Sequence, residues 1–185
     1  MLAYVFWHWP QFAVDPAAYE TNLRAFHRTL GANTPPGFHL STVFSIKGAN
    51  WLDTESPVFE DWYLLENSAA LDQLNEGAVT GVCEQPHNVV AREAAGGTAG
   101  LYRLRQGTPD LSKKRFAVWF SKPDGISYKD FFARMEKEHL PRVALWQRQM
   151  TLGPTREFCL LSENEGAISQ VVGENVSLEL IWGGS

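Results

Sequence analysis

Short apolar runs built from β-favouring residues alternate with amphipathic stretches along nearly all of the 185-residue chain. Residues 3–9 form an aromatic-rich run stopped by Pro10, which predicts a strand. Asp15-Pro16 then opens a helix, because Asp caps free N–H groups and Pro suits the first helical position. Tyr19, Leu23, Phe26 and Leu30 recur at helical spacing and form its inward stripe, and Gly31 with Pro35-Pro36-Gly37 ends it. Residues 38–47 alternate with period two, placing Phe38, Leu40, Thr42, Phe44 and Ile46 on one face of a strand. A further strand over 58–66 precedes a short helix begun by Ser68 and carrying Leu71 and Leu74. A helical stretch at 87–95 then leads through Gly96-Gly97 to a strand over 100–105.

The order then recurs. Residues 115–121 predict a strand, and Ser127 with Asp130 in the capping-box position starts a helix carrying Phe131, Phe132 and Met135. Strands are expected over 145–152 and 156–161, a short helix over 165–172 and a final strand over 176–182. Tyr4-Val5-Phe6-Trp7 aligns without gaps on Phe116-Ala117-Val118-Trp119, and the same alignment puts His27 on His139. Trp62-Tyr63-Leu64-Leu65 resembles Phe158-Cys159-Leu160-Leu161. The first strand of each half is apolar on both faces, as strands covered on both sides are. The predicted fold is therefore α+β: two tandem ferredoxin-like βαββαβ repeats, residues 1–110 and 111–185. Their antiparallel sheets are expected to pack face to face into one pseudo-dimeric α/β barrel, as a monomer or a homodimer.

Composition narrows the partners. Hydrophobic residues make up 44% and charged residues 20%, which suits a folded domain with a substantial core. Net charge is −5, and Lys113-Lys114-Arg115 is the densest basic run, so nucleic acid is not an expected partner. No apolar run approaches the roughly 20 residues that cross a bilayer. Residues 1–10 carry no secretory features, so neither a membrane partner nor export is expected and a cytoplasmic location is. Cys83 and Cys159 are far apart and form no CxxC pair. There is no HExxH, no Gly-rich phosphate loop and no GxSxG, which disfavours metal hydrolysis and nucleotide chemistry.

What remains is histidine and aromatic chemistry. His139 ends a predicted helix beside Glu138 and Glu136, and an imidazole there suits general acid–base work. The simpler role is a helix-terminal cap. His8, within Trp7-His8-Trp9, shares a strand face with Tyr4 and Phe6, while Trp7 and Trp9 face the other way. It is a wall residue of an aromatic pocket or a hydrogen-bonded strand-end histidine. His27 sits between Arg24 and Arg28, neighbours that suggest a solvated face. Trp7, Trp119 and Trp62 are either walls for a flat apolar or aromatic ligand or core packing, and the Tyr63 hydroxyl suits orienting a ligand oxygen. Trp51, in the long connection 48–57, is a lid or an anchor. Asp53, Glu55, Glu60 and Asp61 are acidic neighbours without an evident His or Cys complement in sequence.

The element order and the segment Glu138-His139-Leu140-Pro141 carry a family resemblance. The chain resembles the dimeric α/β-barrel superfamily in a fused two-repeat form, and that segment is similar to the His-x-Pro segment of EthD-like members. It departs from the pattern at Met135, where an aromatic is common, and at His27-Arg28-Thr29, where no Pro follows. The resemblance implies a small-molecule enzyme using His139, His8 and Tyr63 for proton transfer, of isomerase, cyclase or cofactor-free oxygenase type. Trp7, Trp119, Trp62, Trp51 and His27 would then contact an apolar or aromatic substrate. No cofactor is required by that reading. A non-catalytic binding protein, with haem as a candidate ligand, and a structural protein with a solid core remain open beside it.

Overall fold

Strand β1 (Leu2–Pro10) is buried along most of its length, as a run with apolar residues on both faces requires. The computed structural model describes residues 1–137, 143–151 and 155–183. After β1 come α1 (Pro16–Ala32), β2 (Phe38–Lys47), β3 (Val58–Leu65), α2 (Ala69–Val79), α3 (Gly81–Glu93) and β4 (Ala94–Gln106). Then follow β5 (Phe116–Phe120), α4 (Tyr128–Lys137), β6 (Ala144–Thr151), β7 (Phe158–Ser162), a 3-10 turn (Glu165–Ala167) and β8 (Glu174–Gly183). The Asp15 side chain accepts from the amides of Ala17 and Ala18 with Pro16 in the first turn, so α1 begins where its capping residues say. Ser127 and Asp130 cap α4 together, the Asp130 amide donating to Ser127 Oγ at 3.1 Å. At α2 the cap is Asn67 rather than Ser68: its Oδ1 accepts from Ala69 and Ala70.

The two-repeat architecture is overturned. Two ferredoxin-like βαββαβ units with sheets packed face to face are not what the chain forms. The eight strands of the described residues hydrogen-bond into one closed antiparallel barrel, in the order β1-β3-β2-β8-β5-β7-β6-β4. Among the described residues four helices accompany the barrel. Where a helix was expected over 165–172 there is one 3-10 turn, Glu165–Ala167. The physical reason is edge pairing. Separate sheets would leave rows of free N–H and C=O groups, whereas the β2–β8 and β4–β6 ladders join every strand to two neighbours.

The barrel interior is filled by side chains. Trp7, Trp62, Trp119 and Trp146 are fully buried there with Tyr102 and Phe44. Trp119 lies 5.1 Å from Trp7 and 5.4 Å from Tyr102, ring centre to ring centre, both edge to face. Outside, helices α1, α2 and α3 cover the outer face of β1, β3 and β4, while α4 covers β5 and β7 through Phe131 and Met135. Gly96 and Gly97, expected to lead into a strand begun at residue 100, lie within β4 opposite Trp9 and His8. A Cβ on Gly97 would come within 2.6 Å of the Phe6 ring, and one on Gly96 within 2.7 Å of Trp9. The glycines let the rings of β1 lie flat over the neighbouring strand. Among the described residues no helix is long and apolar enough to cross a membrane.

Candidate functional site

On the outer face of β1, side chains alternate Tyr4, Phe6, His8, and on β3 they alternate Phe59, Asp61, Tyr63. The β1–β3 register pairs Phe6 with Asp61, so Asp61 sits beside His8 on the same face. Helix α1 crosses this face and brings Tyr19 and His27, both fully buried on its inward stripe.

These residues form one connected cluster about a single carboxylate. His27 Nε2 lies 3.1 Å from Asp61 Oδ2, and the Tyr63 hydroxyl donates to the same oxygen at 2.9 Å. His8 Nε2 lies 3.1 Å from Asp61 Oδ1, within ion-pair reach though off line for a hydrogen bond. The far nitrogens are also occupied: His8 Nδ1 meets the Tyr19 hydroxyl at 2.8 Å, and His27 Nδ1 meets Ser41 Oγ at 2.8 Å. With Asp61 anionic, each neutral imidazole carries its hydrogen on Nε2 and presents a lone pair at Nδ1, so Tyr19 and Ser41 donate. His8 is 1% exposed, Asp61 2% and His27 0%.

Burial alone would push the Asp61 carboxyl up. The electrostatic attraction and N–H donation of His8 and His27 outweigh it and hold the group well below the usual carboxylate range. The Asp61 charge acts on its neighbours in turn. Burial first, and Asp61 second, push the phenols of Tyr4, Tyr19 and Tyr63 upward, so all three stay protonated.

Above this cluster lies a cavity of about 370 Å³ between the outer sheet face and helices α1, α2 and α3. That volume is within the range of small-ligand sites. Its sheet side presents His8, Asp61, Tyr63 and Tyr4; Tyr19 and Phe26 come from α1; Leu74, Ala78 and Val90 come from α2 and α3. Its walls are mainly apolar, and no Lys or Arg among the described residues lines it.

Of the residues singled out in sequence, His8 and Tyr63 line the cavity and His27 lies directly behind them, holding Asp61. His27 is not on a solvated face. Trp7, Trp62 and Trp119 stand on the opposite face of the sheet, inside the barrel. Trp51 packs against the same interior, 6.3 Å from Trp7 and 5.9 Å from Trp119, and does not line this cavity. His139 lies outside the described residues, as does the segment 138–141. Asp61, Tyr19 and Ser41 were not singled out as site residues. Two acids inside the wholly buried strand β3 were the available signal, since a buried carboxylate demands partners.

His8 and His27 are not placed to ligate haem. Both ring nitrogens of His8 and of His27 are engaged, and among the described residues the cavity wall has no Lys or Arg to pair with a propionate. His87 reaches the cavity from α3, but packs its ring against Phe26 at 5.7 Å and meets Asn88.

No protein-family model and no curated protein matches the chain. Solved structures do match. An anthrone oxidase-like protein superposes with a TM-score of 0.60 at 11% identity, over 98% of this chain and 91% of its own. A candidate monooxygenase from Lactobacillus acidophilus gives 0.56 at 10% identity, over 98% and 94%. A candidate chlorite dismutase gives 0.52 at 12%, over 97% and 94%. At such identities the likeness is one of fold, and it spans nearly the whole chain.

Proposed function

We propose that the protein is a small-molecule enzyme that moves a proton on a neutral, apolar aromatic substrate, with His8 as the proton acceptor and Asp61 as its fixed counter-charge. The observation that carries this reading is the placement of His8 against an ionised, buried Asp61 at the floor of an apolar cavity. A base held beside a carboxylate gains stabilisation of its protonated form, which is what abstraction from carbon or a phenol needs. Among the described residues the lining has no Lys or Arg, and the Asp61 carboxylate faces the cavity, which argues for a neutral substrate rather than a carboxylate or phosphate. Tyr4 adds a protonated phenol with no hydrogen-bond partner among the described residues, suited to an oxyanion developing on the substrate. The fold neighbours described as anthrone oxidase-like and as a monooxygenase lend weight to aromatic substrates of this kind. A carbanion formed here can be reprotonated elsewhere, close a ring or react with dioxygen.

The test is hydrogen–deuterium exchange at the acidic carbon of anthrone in deuterated buffer, followed by NMR. Wild type should accelerate exchange, and His8→Gln should lose at least about 100-fold of that acceleration while remaining folded. Equal rates for the two proteins would sink the reading.

A further inference from the structure

We infer that Tyr19 is the catalytic residue that exchanges the proton with the bound molecule, relaying it between the cavity and His8. The inference rests on the site reading above and concerns the route the proton takes. His8 has no nitrogen left to offer a substrate. Nε2 faces the Asp61 anion at 3.1 Å, and Nδ1 is covered by the Tyr19 hydroxyl at 2.8 Å. A proton leaving the substrate therefore reaches the imidazole through the Tyr19 oxygen or not at all.

Tyr19 is built for that position. It lines the cavity from α1, and its ring is wedged between Phe59 at 5.4 Å and His8 at 5.7 Å. Burial and the Asp61 charge push its phenol upward, so no tyrosinate accumulates and the oxygen gives one proton as it takes another. The step balances without an oxidant. The substrate C–H or O–H bond breaks and its electron pair stays on the substrate. Its proton forms a new O–H bond on Tyr19, while the original Tyr19 O–H bond breaks and that proton forms N–H at His8 Nδ1. The products are a substrate anion and an imidazolium facing Asp61. Once protonated, His8 donates to Tyr19, whose own hydrogen then points to the cavity, ready to return.

The other arm of the cluster shows the contrast. Ser41 covers His27 Nδ1 in the same way, yet neither residue lines the cavity. That arm positions Asp61 and has no relay to perform.

Two measurements decide the matter. First, imidazole ¹⁵N NMR of the wild-type protein should show neutral His8 as the Nε2–H tautomer, with Nδ1 accepting. An Nδ1–H tautomer would overturn the relay whatever the protein's activity, because Tyr19 would then be the acceptor. Second, anthrone exchange should fall at least about 100-fold in Tyr19→Phe, matching His8→Gln. A wild-type rate in Tyr19→Phe with His8→Gln inactive would overturn the relay and leave the site reading standing. Absence of any wild-type exchange would count against the site reading, with the tautomer still deciding the relay. Replacing Tyr19 with 3-fluorotyrosine guards against a folding defect: it should alter the exchange rate several-fold with unchanged packing, and an unchanged rate would mean the phenol is only structural.

Discussion

Glu60 and Asp61 are adjacent in sequence, buried to nearly the same degree, and behave in opposite ways. The strand sends Asp61 to the outer face, where two imidazoles and a phenol converge on it. It sends Glu60 to the barrel interior, where its two oxygens accept from the indole N–H groups of Trp7, at 2.7 Å, and Trp62, at 2.6 Å. Burial pushes Glu60 up to about 7, against the pull of those two donors. Two neutral donors offset only part of the cost of burying a charge, whereas two imidazoles outweigh it. Depth alone does not set the state of a buried carboxylate; the groups gathered around it do.

The sharpest break in this contrast is Asp61→Asn. Removing the shared charge leaves two buried imidazoles without their partner, and the variant should lose roughly 3 kcal/mol in urea denaturation, together with proton-transfer activity. A stable, active Asp61→Asn would end the account of the site. The second is a pH profile of stability. Glu60 binds its proton more tightly folded than unfolded, so its contribution is full below the ordinary Glu range and is lost as pH rises from about 4.5 to about 7. The loss is on the order of 3 kcal/mol, and it should vanish in Glu60→Gln. Asp61 runs the other way: its contribution is full above about 3.8 and is lost as pH falls below that value. Wild type should therefore be most stable near pH 4 to 5, with each limb removed by a different variant. Tyr63→Phe, which removes one donor to the Asp61 charge, should cost about 2 kcal/mol and leave the Glu60 limb intact. Ser41→Ala should cost about 1 kcal/mol and change exchange rates only a few-fold, since Ser41 does not reach the cavity.

Strands and helices were legible because periodicity is local. The stripe of α1, the alternation of β1 that groups His8 with Tyr4 and Phe6, and the cap at Asp15 can each be read within one element. Closure of the barrel was not legible. A strand apolar on both faces is satisfied equally by a second sheet or by the inside of a cylinder, and only the β2–β8 and β4–β6 pairings decide between them. The carboxylate at the centre of the site was visible as a residue but not as a partner. His8 and His27 lie 53 and 34 positions away from Asp61, and no local pattern announces such contacts. His27 was obscured by the charge of Arg24 and Arg28, although it falls four positions after Leu23, on the buried stripe. The tryptophans attracted attention by number, yet their strand parity already assigned Trp7 to the face opposite His8.

The cavity divides its labour by element, and this bears on how its chemistry could be redirected. The groups that handle protons sit on β1, β3 and α1, locked to one another by a network on which folding depends. The groups that meet the rest of the ligand are contributed largely by α2 and α3, through Leu74, Ala78 and Val90. Substitutions at those three positions would reshape the room without touching the machinery, so substrate range and catalytic power are separable traits in this scaffold, free to be selected or engineered one at a time.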